Sequence, residues 1–167
     1  DQEGVGYFQM TMKNGQRCSS AVAYLKPARR RKNLHIITHA HAEKLLFKAK
    51  RCVGVQVQIN GISQAVYAGS EVILSAGAIG SPQLLMVSGI GAADELGAHG
   101  IQIKHDVPGV GKNMQDHLQA RPIFKTTAST INLEINTIFK RLRIAMTYAA
   151  SRSGPMAMAV SLGTGFL

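Results

Sequence analysis

Residues 77–91, GAIGSPQLLMVSGIG, are the stretch that decides the fold of this sequence. They follow an apolar run, EVILS at residues 71–75, which predicts a strand of the kind that a parallel sheet buries on both faces. Ser81 is a favoured N-cap residue and Pro82 a favoured first helical residue, so a helix is predicted to begin there and to end at the glycines of SGIG. The small residues between strand and helix leave the backbone open to a flat or anionic ligand. The stretch therefore predicts a strand, a ligand-facing turn and a helix.

Turn signals divide the rest of the sequence into short elements. Asn14-Gly15 and Asn60-Gly61 are dipeptides typical of turns, and the second predicts a hairpin. Strands are predicted over residues 7–13, 34–38, 44–48, 52–59, 62–67, 72–74, 101–104 and 121–125. Helices are predicted over residues 19–25, 82–87, 93–99 and 142–152. This mixture indicates an α/β protein of mixed α+β character.

Four motifs occur in a fixed order along the chain: RCSSAVAYLKP at residues 17–27, NLHIITHAHAEKLLF at 33–47, the stretch at 77–91, and PGVGKNMQDHL at 108–118. Together they resemble the glucose-methanol-choline (GMC) oxidoreductases, flavoenzymes that oxidise alcohols with FAD. The second signature of that family has a small pair, Ser/Thr-Pro, an aliphatic pair and Ser-Gly-aliphatic-Gly, and residues 77–91 fill each position. SRSGPMAMA at residues 151–159 is similar to the choline-dehydrogenase-like branch in particular.

The resemblance implies a division of the chain into two parts. Residues 1–120 would form the later portion of a Rossmann-like FAD-binding domain, and residues 121–167 the beginning of a substrate-binding domain. The family's dinucleotide fingerprint, G-x-G-x-x-G between a strand and a helix, does not occur in this sequence. We therefore expect the sequence to be an internal fragment of a longer enzyme, inactive by itself and weak in binding FAD.

The resemblance also implies which residues contact the cofactor. Ala42 stands where the family usually has Val, whose backbone meets the adenine, and the loop at residues 111–117 would lie toward the flavin or the domain junction. The cofactor-binding residues implied in this way are Ala42, Ser75, Ala76, Gly77, Ser81, Asn113 and His117. An alternative for Asn113, Asp116 and His117 is that they only cap and cross-link a tight loop.

The chemistry implied is oxidation of a primary alcohol, whether choline-like, aliphatic or aromatic, to an aldehyde by hydride transfer to the flavin. The electron acceptor would be oxygen, a quinone or a carrier protein. Histidine suits the base that takes the hydroxyl proton, because its ordinary pKa lies near neutral pH. The family places that histidine in a C-terminal segment that this sequence does not contain. We therefore assign no catalytic role to His99, His105 or His117.

The net charge of +10 has two local sources, residues 29–32 (RRRK) and residues 140–143 (KRLR). No aromatic residues accompany the first run, so we expect a solvated loop and no nucleic-acid partner. The second lies among apolar residues, which fits either an ordinary core-facing helix or a helix on a membrane surface. The alternative function is thus a non-catalytic GMC-like remnant that acts as a basic binding or membrane-surface module.

The two cysteines and six histidines indicate neither a disulfide framework nor a metal site. Cys18 and Cys52 stand far apart, which favours a reducing compartment, and no third ligand accompanies His39 and His41 at a metal-like spacing. No apolar run approaches the ~20 residues that span a bilayer. We expect a cytoplasmic protein, with peripheral membrane association as an open alternative.

Overall fold

The structure is a computed structural model that describes residues 3–158 and 163–166. Its strands are β1 (Gly4–Tyr7), β2 (Met12–Lys13), β3 (Gln16–Arg17), β4 (Ala40–Lys48), β5 (Arg51–Ile59), β6 (Ile62–Tyr67), β7 (Ile90–Gly91), β8 (His105–Asp106) and β9 (Gly163–Phe166). Its α-helices are α1 (Lys26–Ala28), α2 (Gly77–Val87), α3 (Ala93–Ala98), α4 (Ile131–Glu134) and α5 (Ile138–Ser151). A π-helical turn at Ala21–Leu25 leads into α1, and a 3-10 turn at Pro155–Ala157 follows α5. This mixture confirms the predicted fold class.

The chain forms two compact units. One comprises residues 36–120, and the other combines Asp1–His35 with Arg121–Leu167. The roles expected for residues 1–120 in binding FAD and for residues 121–167 in binding substrate stay predictions.

A three-stranded antiparallel meander, in the order β4-β5-β6, dominates the unit of residues 36–120. The turn between β5 and β6 is Asn60-Gly61, with φ angles of 52° and 80°. Positive φ at both central residues is the type I′ geometry that matches the twist of a two-residue hairpin. The predicted hairpin is therefore confirmed, and β5 and β6 lie close to their predicted bounds.

Helix α2 packs against β4 through a small apolar core. Leu45 on β4, Leu84 on α2 and Leu96 on α3 are buried. Ser88, the C-cap of α2, is the buried polar residue among them: its Oγ accepts a hydrogen bond from the Leu45 N–H at 2.8 Å and donates one to the Leu84 carbonyl. Because both bonds are made, the buried hydroxyl carries no unpaired polar atom and joins strand to helix.

The glycines after α2 allow a second backbone segment to approach closely. Gly89 has φ +91°, and its carbonyl accepts hydrogen bonds from the Lys104 and His105 amides at 2.8 and 3.1 Å. This contact brings β7 and β8 together as a parallel pair on either side of α3. The predicted end of the helix at SGIG is confirmed. Gly89 has the positive φ of the turn, and its lack of a side chain leaves room for the backbone at Gln102.

In the other unit, the β2–β3 hairpin docks on α5. The Tyr148 hydroxyl of α5 donates a hydrogen bond to the Gly15 carbonyl in the hairpin turn at 3.0 Å. A Cβ on Gly15 would lie 2.1 Å from the Arg152 carbonyl oxygen, so the turn fits closely against the end of α5 only with glycine there. Strand β1 pairs antiparallel with β9 in the same unit.

Four predicted strands are wrong. Within the described residues, the segments at 34–38, 72–74, 101–104 and 121–125 belong to no strand, and the run expected over 7–13 divides into parts of β1 and β2. The segments at 34–38 and 72–74 have the apolar composition of strands, yet Ile37 and Ile73 are exposed. A strand exists only where a neighbour accepts and donates its backbone hydrogen bonds, and composition does not reveal that neighbour.

The predicted start of α2, with Ser81 as N-cap and Pro82 as first helical residue, is also wrong, because the helix begins five residues earlier, at Gly77. Ser81 lies inside the helix, and its Oγ accepts a hydrogen bond from the Ala76 N–H at 3.0 Å. Ser81, which the sequence suggests as the N-cap, therefore lies within the helix and accepts a hydrogen bond from the amide just before the first helical residue. Pro82 is in the helix interior, where it removes one intrahelical hydrogen bond.

We expect Gly89→Ala to destabilise the protein strongly. The new Cβ would lie 2.4 Å from the Gln102 carbonyl oxygen, and the positive φ alone costs roughly 1–3 kcal/mol. Gly97→Ala is the control, because its Cβ meets nothing within 4 Å and alanine in a helix stabilises by about 0.4–1 kcal/mol. Urea unfolding of both variants measures the difference, and equal stabilities would contradict the close approach at Gly89.

Candidate functional site

The head of α2 is an exposed turn built from small residues. Ser75, Ala76 and Gly77 are exposed, and Gly77 has φ +84° with nothing within 4 Å of where its Cβ would stand. The first amides of a helix have no intrahelical partner and carry its partial positive charge. The turn is thus exposed, and the amides of residues 77–79, the first of the helix, have no intrahelical partner.

Ser81 stabilises this turn from inside the helix. Its hydroxyl oxygen accepts the Ala76 amide, which fixes the backbone just before the first helical residue. The Ser81 side chain is half-buried, and its role at the cofactor stays a prediction.

Ala42 lies in β4 beside an irregularity of the ladder. It pairs with Val57, and the register between β4 and β5 shifts between Ala42 and Lys44. Ala42 is exposed, and a small side chain there leaves the strand backbone accessible. The role of Ala42 at the adenine stays a prediction.

Asn113 and His117 lie in an extended, exposed loop after β8. Asn113 has φ +56°, and the His117 amide donates to the Asp116 carboxylate at 2.7 Å. At the start of the loop, Lys112 forms an ion pair with Glu95 of α3. These local bonds fit the loop-capping alternative, and among the described residues no hydrogen bond joins Asn113 or His117 to Ala42 or to the head of α2.

The two halves of the 77–91 stretch have different surroundings. Its first residues are exposed, whereas Ser88, Gly89 and Gly91 are buried. Ser88 bonds to β4, Gly89 bonds to the amides of residues 104 and 105, and Gly91 pairs with Asp106. Sequence reasoning missed the part that Ser88 plays. The available signal was the spacing of four residues from Leu84, at which a serine hydroxyl reaches back to a helical carbonyl.

The histidines do not form a catalytic or metal cluster in the described part of the chain. His99, His105 and His117 are each exposed. Over residues 3–158 and 163–166, no three His, Cys, Asp or Glu side chains gather closely enough to hold a metal ion.

Comparison with known proteins identifies the family. The sequence model of the GMC oxidoreductase N-terminal region matches residues 1–119. The chain is 45% identical to an alcohol dehydrogenase [acceptor] of Pseudomonas putida, over 99% of the chain and 31% of that protein. It is 47% identical to the mitochondrial choline dehydrogenase of Homo sapiens, over 85% of the chain and 23% of that protein.

A solved structure agrees with these relatives. The fold superposes with a TM-score of 0.81 on an FAD-dependent oxidoreductase from Chaetomium thermophilum, at 26% identity, over 95% of this chain and 29% of that one. The chain thus spans less than a third of the length of each of these relatives. On the family match over residues 1–119 and the identity to curated members, the chain belongs to the GMC oxidoreductase family.

Proposed function

We propose that this chain supplies part of the cofactor-binding face of an FAD-dependent oxidoreductase that oxidises a primary alcohol to an aldehyde. The observation that carries the proposal is the exposed, amide-rich head of α2, at Ser75, Ala76 and Gly77. Family membership and the names of the relatives, alcohol dehydrogenase and choline dehydrogenase, support the same reaction class.

The residues present fit part of FAD. The head of α2 has an open surface and unpaired amides at residues 77–79, which suit the flat adenine and the ribose hydroxyls of the adenosine part of FAD. Gly77 keeps that surface flat, since nothing stands within 4 Å of its Cβ position. Ala42 would add a second exposed backbone for the adenine, and Asn113 and His117 would lie toward the flavin.

When bound, FAD supplies the redox chemistry, accepting a hydride from the carbon that bears the hydroxyl while a base takes the hydroxyl proton. The residues of this chain bind and orient; we place neither the base nor an oxyanion site among them. The electron acceptor that re-oxidises the cofactor is oxygen, a quinone or a carrier protein. The name of the Pseudomonas putida relative supports an external acceptor in general terms.

In the full protein that contains this chain, Gly77→Ala should weaken FAD binding, since the added methyl stands where the cofactor would approach. Gly100→Ala is a matched control, because both glycines have positive φ, +84° and +67°, and open space around Cβ. Both variants should lose similar stability, roughly 1 kcal/mol for alanine at positive φ. Fluorescence titration of the apoprotein with FAD measures the affinity, and an equal affinity in the two variants would contradict a cofactor at the head of α2.

The chain by itself is expected to bind FAD weakly or not at all. It contains no G-x-G-x-x-G turn between a strand and a helix, which is the feature that holds the pyrophosphate in such folds. Equilibrium dialysis of the purified chain with FAD measures this directly. A stoichiometric yellow complex would contradict this expectation.

We propose, as a second candidate, that α5 lies against an anionic membrane surface. Its first turns expose Ile138, Phe139 and Leu142, beside the cation Arg143. No helix in the described parts of the chain has both the length and the apolar character to cross a membrane. An exposed apolar face flanked by cations is the pattern of a helix that lies in the interface plane.

Two of the cations near this face also have local partners. The Lys140 ammonium contacts the Leu133 carbonyl and the Arg141 guanidinium contacts the Ile135 carbonyl, where they compensate the negative end of α4. Both cations therefore stabilise the turn between α4 and α5. The membrane proposal rests mainly on the exposed apolar residues.

Replacing Ile138 and Phe139 together by Gln should abolish co-sedimentation with vesicles of phosphatidylserine and phosphatidylcholine. The double replacement of Ile62 and Tyr67 by Gln is the control, since those side chains on β6 are similarly exposed, at 69% and 75% against 70% and 81%. Binding should also fall on raising salt, because screening removes the attraction of exposed cations to anionic lipid. Equal sedimentation of both double variants, or no sedimentation of the unmodified protein with the vesicles, would contradict the membrane proposal.

A further inference from the structure

Met86, in the last turn of α2, packs between the backbones of two glycines. A Cβ on Gly111 would lie 3.1 Å from the Met86 Sδ, and a Cβ on Gly91 would lie 3.3 Å from its Cγ. The Met86 side chain therefore occupies the space that a side chain at either glycine would need. Because methionine is unbranched and polarizable, it fills a narrow gap of this kind.

Gly111 belongs to a tight turn at residues 107–112. Two backbone hydrogen bonds of 3.1 and 3.2 Å close the turn, each from an amide to the carbonyl three residues earlier. Gly111 has φ +78°, in the left-handed region that favours glycine. Gly111 thus allows both the course of the turn and its contact with Met86.

The chain just before this turn is anchored to β7 and α3. The Val107 N–H donates a hydrogen bond to the Gly91 carbonyl at 2.9 Å. The Asp106 carboxylate accepts a hydrogen bond from the N–H of Ala93, the first residue of α3, at 3.0 Å. Because the N-cap residue of α3 is an alanine, Asp106 supplies the side-chain oxygen that caps the helix. The turn is therefore held at its start, and Met86 adds a contact with α2 near its end.

Helix α2 connects the two parts of the proposed FAD site. The amides at its head, at residues 77–79, are proposed to meet the adenosine part. Asn113 and His117, proposed for the flavin part, lie in the loop that follows Gly111. Met86 lies about 13.5 Å along the helix axis from the first residue of α2, at 1.5 Å per residue. The contact of Met86 with the turn therefore sets the distance between the head of α2 and the start of that loop.

We infer that Met86 is a positioning residue for FAD. By filling the gap in front of the two glycines it holds the 107–112 turn against α2, and through that turn it places Asn113 and His117 beside the flavin part of the cofactor. The inference rests on the proposed binding of FAD by this chain. It assigns to Met86 an effect on the flavin that acts through the turn rather than by direct contact.

The test compares FAD with ADP, which contains the adenosine part of FAD without the flavin. In the apoprotein of the full protein that contains this chain, Met86→Ala should leave a gap in front of both glycines and let the turn move. The affinity for FAD should fall about tenfold, while the affinity for ADP changes by less than about twofold, since the head of α2 is unaltered. Isothermal titration calorimetry measures both affinities. The visible circular dichroism of the bound flavin should also change, because it reports the surroundings of the ring.

Two control variants separate an effect on position from an effect on stability. Met86→Leu retains an apolar carbon where the Sδ stands, so the affinity for FAD and the flavin spectrum should stay those of the unmodified protein. Val87→Ala removes apolar atoms from the neighbouring residue of α2, which is 44% exposed, and should change neither affinity. If Met86→Ala lowers both affinities equally, or neither, the inference is overturned, because a purely structural role does not distinguish FAD from ADP.

A double-mutant cycle tests the contact in a second way. Gly111→Ala brings a Cβ to 3.1 Å from the Sδ and pushes the turn away from α2, so by itself it should also lower the affinity for FAD and not that for ADP. In the Met86→Ala background the added methyl has room, so Gly111→Ala should reduce the affinity for FAD less there than in the unmodified protein. Gly109→Ala is the control, since its Cβ meets nothing within 4 Å, and its effect should be the same in both backgrounds. Equal effects of Gly111→Ala in the two backgrounds would contradict the contact.

Failure of the inference and failure of the proposed function give different results. If the full protein binds FAD and ADP, and neither Met86→Ala nor Gly111→Ala changes the affinity for FAD, the inference fails and the proposed function stands. If the full protein binds neither FAD nor ADP, the proposed function fails and the inference fails with it.

Discussion

The hydroxyl of Ser88 is the contact on which the unit of residues 36–120 depends. It joins the Leu45 amide of β4 to the Leu84 carbonyl of α2 in a buried position, where an unpaired polar group would cost about 1–3 kcal/mol. Because it lies at the C-cap of α2, it sets where the helix ends relative to the sheet. The close approach of Gly89 to the 102–105 segment follows directly after it.

Fixing one end of α2 determines where the other end lies. The helix is 11 residues long, so its head at Gly77 stands about 16 Å from the Ser88 contact, at 1.5 Å per residue. A buried, bonded tail and an exposed, unpaired head thus belong to one rigid element. The fold holds the tail by packing, which leaves the amides of the head available for a ligand.

Local signals predicted part of this arrangement from the sequence. The Asn14-Gly15 and Asn60-Gly61 turns form where predicted, because the required positive φ angles are properties of those residues themselves. Strands were predicted at 34–38 and 72–74 but do not form there, because a strand needs a hydrogen-bonding neighbour that an apolar run cannot specify. The start of α2 was misplaced because Ser81 bonds an amide outside the helix rather than capping its own.

For the candidate site, the sequence predicted the exposed turn at 75–77. It did not predict that the second half of the 77–91 stretch is buried. The fifteen residues of the 77–91 stretch read as one motif, yet burial divides them between an open turn and a packed core. The contact between the β2–β3 turn and α5 could not be predicted either, since Gly15 and Tyr148 are 133 residues apart in the sequence.

Amide hydrogen exchange of the full protein, with and without FAD, tests the central claim most directly. We predict that FAD slows exchange at the amides of residues 77–79, which have no partner within α2, and leaves Gly97 and Gly100 of the α3 region unchanged. FAD that binds without protecting residues 77–79 would contradict the assignment of the α2 head as part of the cofactor site.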